Sequence, residues 1–190
     1  MTPLLVLVRL VVAALVLFGP WTDEPDEVAD WDVGRFEEIA TAEGTPYLDH
    51  DVEYPPASVA LIELTHRADA ARSLDRIVLV TLAADLATAA LISRRWGTGA
   101  LRWYLGLGTI LLPATYLRFD IVAVVLAVAG WVAVADGRPR RGGVALAAAV
   151  MVKTWPALLV PPLLASGRWR AAVWSVAATG AAKTQHLCWV

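Results

Sequence analysis

Hydrophobic residues in this chain are gathered into long blocks, with polar stretches between them. The blocks lie at residues 2–21, 76–92, 100–116, 121–135, 144–165 and 171–182. A helix that spans a bilayer needs about 20 mostly apolar residues, and several of these blocks approach that length. The pattern predicts an all-α polytopic membrane protein with about six transmembrane or half-membrane helices.

The polar stretch at 22–75 has the opposite character, since 13 of the 18 acidic residues lie between positions 23 and 63. Apolar side chains at helical spacing (Val33, Phe36, Ile39) predict a helix over 32–42. A short interfacial helix is expected at 57–64, after an extended Tyr54-Pro55-Pro56, because each proline biases the preceding residue away from the helical region. We therefore expect a folded acidic loop with short interfacial helices.

Composition excludes several classes of protein. The chain is 58% hydrophobic and 18% charged, with a mean hydropathy of +0.58. These values exclude an ordinary soluble globule, a disordered chain and a basic nucleic-acid binder. One cysteine and three scattered histidines exclude a disulfide framework and a cysteine metal site. The excess of arginine over lysine, with abundant alanine and valine, indicates a bacterial source.

Basic residues between the blocks predict an orientation. They cluster at 94–95, 138–141 and 168–170. Because cytoplasmic loops are enriched in lysine and arginine, these clusters are expected inside the cell. The prediction is a multi-pass cell-membrane protein whose N-terminus is cytoplasmic and whose acidic loop lies outside.

The block at 144–165 conflicts with that rule, because basic clusters flank it at both ends. Two half-length helices meeting near Lys153 and Pro156 resolve the conflict. Broken helices at membrane depth occur where they line a cavity or are buried in protein. We therefore expect a re-entrant hairpin that directs Lys153 toward the outer side.

Charged residues thus converge on the outer face: Asp32, the pair Arg118 and Asp120, and Lys153. An ionisable residue within an apolar block is a functional candidate by default. Lysine and arginine bind phosphate, and a neighbouring carboxylate can take a proton from a hydroxyl. This favours group transfer from a lipid-linked donor. The alternatives are that Asp32 is one more solvated acid, and that Arg118 and Asp120 merely close a helix hairpin.

Two further charges lie inside apolar blocks. Asp85 is midway along the second block and is either functional or paired with a neighbouring helix. Arg9 in the first block either contacts a lipid phosphate or pairs with an acid. No phosphate-loop or zinc-binding motif accompanies them, so ATP-driven and zinc-driven chemistry have no support.

The order of motifs resembles a known family. The motifs are DVGRF at 32–36, GTPYLD at 44–49, VEYPP at 52–56, RFD at 118–120 and AAAVMVKTWP at 147–156. Together they resemble the polytopic GT-C glycosyltransferases, nearest to the bacterial family 87 or DUF2029 group, which includes polyprenol-phosphate-mannose-dependent mannosyltransferases. The resemblance covers roughly residues 1–170.

The resemblance implies an inverting sugar transfer, with mannose favoured, from a polyprenyl-phosphate donor to an acceptor hydroxyl outside the membrane. Asp32 matches the family's general base, and Asp30 is the alternative. Phe36 stands where the family commonly has tyrosine. Arg118, Asp120 and Lys153 match the polar positions that hold the donor phosphate.

The resemblance also implies partners and the shape of the site. Glu53, Tyr54, Pro55 and Pro56 are expected to shape the cavity. The expected partners are membrane lipid, the lipid-linked donor and a glycolipid or glycan acceptor of the cell envelope, with no nucleic acid. No cofactor is expected beyond the donor substrate, and no divalent metal is indicated.

The chain departs from the family in length, since members are usually about twice as long as its 190 residues. We expect one GT-C-like membrane domain, truncated at its C-terminus: a first span at 1–21, an outer loop at 22–75, membrane helices at 76–182 and an atypical tail at 183–190. The alternatives are a non-enzymatic polytopic protein, such as a transporter-like or lipid-binding scaffold, and an inactive fragment of such an enzyme.

Overall fold

Helices make up most of the fold in a computed structural model, which describes residues 2–18, 32–67 and 70–188. The helices are α1 (Thr2–Phe18), α2 (Asp32–Thr41), α3 (Pro56–Thr65), α4 (Ala70–Gly108), α5 (Leu112–Tyr116), α6 (Asp120–Ala135), α7 (Pro139–Val152), α8 (Val160–Ala165) and α9 (Trp169–Cys188), with 3₁₀ turns at Thr109–Leu111 and Trp155–Leu159. Across these residues the β-pairing is an isolated bridge between Pro46 and His50. The all-helical class is confirmed.

The helices of the acidic loop follow their predicted pattern. Helix α2 buries Val33, Phe36 and Ile39, the three residues at helical spacing. Helix α3 begins after Pro55, whose backbone is extended (φ −64°, ψ 157°). Both helices pack onto a core shared with the ends of the membrane-type helices. The loop is therefore part of the folded body.

Helix α4 doubles back at Gly97, where φ is 81° and ψ is −177°. Glycine adopts this left-handed region without the steric cost that a Cβ imposes. Leu101 and Leu105 then pack against Ala89 of the first arm. The second and third predicted blocks are therefore the two arms of a helical hairpin.

A buried ion pair ties α1 to this hairpin. Arg9 Nε lies 2.7 Å from Asp85 Oδ2, and both side chains are 1% exposed. Arg9 also donates from Nη1 to the Leu105 carbonyl at 3.0 Å. Asp85 accepts hydrogen bonds from the hydroxyls of Tyr104 and Tyr116. Of the alternatives for these two charges, the structure shows mutual pairing.

Glycines allow the C-terminal helices to approach closely. A Cβ on Gly142 of α7 would lie 2.3 Å from Val134 Cγ2 of α6. A Cβ on Gly143 would lie 2.4 Å from Trp174 Cβ of α9. Non-bonded atoms cannot approach so closely. The glycines at these positions therefore let α7 pack tightly between α6 and α9.

The predicted break in the 144–165 block is present. Helix α7 ends at Val152, Lys153 is extended (φ −144°, ψ 146°), and the chain returns through the 3₁₀ turn and α8. Helix α9, which begins where the return ends, places Trp174 beside Arg140, whose Cζ lies 5.0 Å from the indole centroid. The two flanking basic clusters therefore share one end of the fold, as a hairpin requires.

One helical segment supports membrane crossing by its length and apolar composition. Among the described helices, Ser73–Leu111 is long and apolar enough to span a bilayer, and it includes the break at Gly97. Shorter apolar helices are Thr2–Phe18, Pro56–Thr65, Asp120–Ala135 and Trp155–Ala165. Helix length therefore does not establish the six crossings expected from the sequence.

The last helix differs from its prediction. The apolar block at 171–182 becomes α9, which has 20 residues and continues to Cys188. At about 1.5 Å per residue this is a rise of about 30 Å. Residues 183–188 contain no glycine or proline, so nothing in their backbone ends the helix where the hydrophobic block ends. The predicted tail at 183–190 is thus helical through Cys188.

Breaking the Arg9–Asp85 pair tests how the helices are held. Arg9→Met leaves a buried carboxylate without its cation, which typically costs about 3–5 kcal/mol. We expect thermal unfolding in detergent to shift down by several degrees. The double variant Arg9→Met/Asp85→Asn removes both charges and should recover more than half of the loss; equal Tm values for the single and double variants would contradict this.

Candidate active site

The end of the fold that carries Lys153 also holds a salt bridge between α2 and the α5–α6 turn. Arg118 donates from Nε to Oδ2 of Asp32. Asp32 is the first residue of α2, and Arg118 lies two residues before α6 begins. The side chains are 25% exposed for Asp32 and 55% for Arg118, so solvent reaches the pair. The Asp32 carboxylate raises the pKa of Arg118 by this hydrogen bond and by its charge.

A second ion pair lies at the break in the α7 hairpin. Lys153 Nζ is 3.4 Å from Asp120 Oδ2 and 4.9 Å from the centroid of the Tyr54 ring. The ammonium thus interacts with a carboxylate and with an aromatic face. Asp120 is the first residue of α6, so the two pairs are joined by the short segment 118–120.

Aromatic rings pack next to both ion pairs. Phe36 of α2 stacks on Phe119 with ring centroids 5.1 Å apart, and it meets Tyr54 edge-on at 5.4 Å. Phe36 and Phe119 are almost fully buried. Since Phe119 lies between Arg118 and Asp120, this stack fixes the backbone from which both charged side chains project.

The segment that carries Tyr54 is anchored by its neighbour Glu53. Arg35 of α2 donates from Nε and Nη2 to the two Glu53 carboxylate oxygens at 2.9 and 2.8 Å. These hydrogen bonds lower the pKa of the Glu53 carboxyl to about 2. The Tyr47 hydroxyl donates to the Tyr54 carbonyl at 2.6 Å. Sequence reasoning did not find the role of Arg35, although its i+3 relation to Asp32 places both near the same end of α2.

Burial and nearby charge also act on the two tyrosines of this segment. Burial raises the pKa of Tyr47 to about 12, with a smaller effect from Glu63. Burial also raises the pKa of Tyr54, and the negative charges of Asp32 and Glu53 add to the effect. Both hydroxyls are therefore protonated at neutral pH, and that of Tyr47 donates to the Tyr54 carbonyl.

Ser58 is a second residue that the sequence did not indicate. It is fully buried on α3 and donates from Oγ to the Val152 carbonyl. The final carbonyls of a helix have no partner within the helix. Ser58 supplies one where α7 ends, and so joins α3 to the residue before Lys153.

An open apolar groove of about 730 Å³ adjoins these residues. Its lining is almost entirely hydrophobic, as in Leu61 and Leu64 of α3 and Met151 of α7. It also includes Pro56, Val122 and Val152, which lie one or two residues from Tyr54, Asp120 and Lys153 respectively. Polar groups at one end of an apolar cleft of this volume are typical of a ligand site.

The structure therefore brings together Asp32, Arg118, Asp120, Lys153 and Tyr54, which we call the polar cluster. The alternative in which Arg118 and Asp120 pair with each other is not the arrangement found: Arg118 binds Asp32 and Asp120 binds Lys153. Of the other predicted site residues, Glu53 is anchored by Arg35, Pro55 precedes α3, and Pro56 lines the groove. Asp30 lies outside the described residues.

A metal site is not formed by the part of the chain that the structure describes: no three histidine, cysteine, aspartate or glutamate side chains there lie close enough together to hold an ion. The charges available in the polar cluster are two cations and two carboxylates.

The fold and site define a class: a helical protein with an apolar groove and paired charges beside it. Comparison with protein families is more specific, since residues 53–185 match the model of glycosyltransferase family 87. This match covers most of the chain, which therefore belongs to that family of GT-C-like membrane glycosyltransferases. The match contains Arg118, Asp120 and Lys153, whereas Asp32 precedes it. No curated protein and no solved structure matches the chain.

Acid should release the Arg35–Glu53 anchor. The folded pKa of Glu53 is lowered from 4.5 to about 2, so its stabilisation is complete above about pH 4.5 and is lost as pH falls toward 2. We expect the difference in Tm between the wild type and Glu53→Gln to be constant from pH 7 to 5 and to vanish near pH 2. A difference that does not change with pH would show that the Glu53 charge is irrelevant to stability.

Proposed function

We propose that this protein transfers a sugar, most simply mannose, from a polyprenyl-phosphate donor to an acceptor hydroxyl on the outer face of the membrane. The carrying observation is the polar cluster beside the apolar groove. Membership of glycosyltransferase family 87 supports the reaction type in general. The donor, the sugar and the roles of the residues are our proposal.

The groove and the polar cluster suit the two ends of such a donor. The isoprenoid chain would lie along Leu61, Leu64 and Met151, where its burial is favourable by about 25 cal/mol for each Å² of apolar surface. The phosphate would reach Arg118 and Lys153. Arginine offers a planar fork of donors and lysine a point charge, both of which bind phosphate oxygens.

In the proposed reaction Asp32 is the general base. Its carboxylate takes the proton from an acceptor hydroxyl as that oxygen attacks the anomeric carbon of the donor. The new glycosidic bond forms on the face opposite the leaving group, so the configuration inverts. The bond from the anomeric carbon to the phosphate oxygen breaks, and polyprenyl phosphate leaves with the electron pair. Arg118 and Lys153 stabilise the charge that grows on the phosphate.

Asp120 has a different role in this proposal. A carboxylate repels a phosphate, so direct binding of the donor by Asp120 alone is unfavourable. Its contact with Lys153 suits a positioning role in the empty site, in which Asp120 and the Tyr54 ring hold the ammonium near the groove until a phosphate arrives. Glu53 and Pro55 then act indirectly by fixing the segment that carries Tyr54.

We further propose that the helices cross or enter a membrane about six times, with the N-terminus in the cytoplasm and the polar cluster outside. Large apolar side chains are exposed on α1, on the second arm of α4 and on the 3₁₀ turn that follows it, such as Leu7 at 53%, Trp103 at 71% and Ile110 at 79%. Exposed apolar surface of this kind marks contact with lipid or with another protein. The shared end of the basic clusters suits the cytoplasmic side.

Replacement of Asp32 tests the proposed function. Asp32→Asn removes the base while keeping the size of the side chain, so we expect sugar transfer to fall by about a hundredfold or more. The assay follows label from a polyprenyl-phosphate sugar into lipid acceptors, with the full chain in vesicles. Asp30→Asn, assayed in parallel, decides between the two candidate bases.

The matched control is Glu43→Gln, which removes an exposed acid of the same loop outside the polar cluster. It should keep wild-type activity. Full activity in both Asp32→Asn and Asp30→Asn would contradict the mechanism. Donor binding without any transfer by the wild type would favour a lipid-binding scaffold in place of an enzyme.

A further inference from the structure

Arg118 and Lys153, the two cations proposed to bind the donor phosphate, each have a carboxylate partner in the structure. Arg118 is bound by Asp32, and Lys153 lies 3.4 Å from Asp120. The cluster therefore balances its own charges, two positive against two negative. An incoming anion meets two cations whose nearest partners are carboxylates.

This arrangement creates a conflict for Asp32. One of the two Asp32 carboxylate oxygens, Oδ2, accepts the Arg118 hydrogen bond and is therefore already engaged before an acceptor hydroxyl arrives. As long as this pair is intact, Arg118 occupies part of the Asp32 carboxylate and hinders its approach to an acceptor hydroxyl.

The surroundings allow the pairs to exchange partners. Arg118 is 55% exposed and Asp120 is 44% exposed, so neither ion pair is locked in a dry interior. Exposed pairs of this kind are weak, typically worth less than about 1 kcal/mol. A phosphate engages an arginine with two parallel hydrogen bonds, whereas Asp32 receives one hydrogen bond from Arg118.

We propose that the donor phosphate displaces Asp32 from Arg118 and Asp120 from Lys153, so that Asp32 is released as a base when the donor is bound. The inference rests on the proposed function and adds an order to it: donor first, acceptor second. Both carboxylates act as competitors of the phosphate in the empty site. Their removal must therefore strengthen the binding of phosphate, even where it abolishes transfer.

The experiment measures the affinity of the full chain in detergent for a polyprenyl monophosphate that carries no sugar. Asp32→Asn and Asp120→Asn should each bind about two- to fivefold more tightly than the wild type. Arg118→Gln should bind more weakly. In the double variant Asp32→Asn/Arg118→Gln the gain from Asp32→Asn should vanish, because the competitor acts through Arg118.

Glu38→Gln is the matched control for long-range charge. Glu38 lies on the same helix as Asp32 and pairs with Arg35, so its substitution makes the same change in net charge without freeing Arg118. Its affinity should equal that of the wild type. An equal gain in Glu38→Gln would show a general charge effect and would overturn the displacement.

Failure of the displacement is distinguishable from failure of the proposed function. If the wild type binds and Arg118→Gln weakens binding, but neither aspartate variant tightens it, the donor site stands and the displacement is wrong. If polyprenyl monophosphate binds equally to the wild type and to Arg118→Gln, the polar cluster is not the phosphate site. In that case both proposals fail.

Discussion

Helix α7 ends at Val152, and the backbone of Lys153 is extended at the point where the chain turns back. This ending is stabilised by the buried Ser58 hydroxyl, which donates to the Val152 carbonyl. Without it, a terminal carbonyl next to the groove would lack a protein partner, at a cost of about 1–3 kcal/mol. The position of Lys153 over Tyr54 and beside Asp120 depends on this one turn.

The other half of the polar cluster depends on a buried charge some distance away. Asp85 pairs with Arg9 and accepts a hydrogen bond at 3.2 Å from the Tyr116 hydroxyl. Thr81, one turn earlier on α4, donates to the Tyr116 carbonyl at 3.2 Å. Tyr116 precedes Arg118 by two residues. The ion pair that joins α1 to α4 thus also fixes the segment that presents Arg118 and Asp120 to the groove.

Much of this arrangement follows from sequence patterns with a physical basis. The spacing of Val33, Phe36 and Ile39 predicts α2, and the basic clusters on either side of 144–165 predict the break at Lys153. These signals are local, or depend on charge at helix ends. The convergence of Asp32, Arg118 and Lys153 was predicted from their shared side of the membrane.

The pairing within the cluster could not be predicted in this way. Which acid binds Arg118 depends on how α2 packs against Phe119, a contact between residues far apart in sequence. Ser58 and Arg35 carry no motif, since serine and arginine are common on helices and gain their roles from a carbonyl and a carboxylate elsewhere. The length of α9 is underestimated from the sequence because the apolar block ends at residue 182, whereas the backbone helix continues to Cys188.

The most direct measurement is photocrosslinking of the full chain with a polyprenyl phosphate that carries a photoreactive group in its first isoprene units. The account predicts adducts at the groove, on Leu61, Val122 or Met151, and their loss when unlabelled polyprenyl phosphate is in excess. A second apolar groove of about 240 Å³, lined by Trp96, Trp131 and Trp155, is the competing location. Competed adducts confined to those tryptophans would contradict the assignment of the donor site.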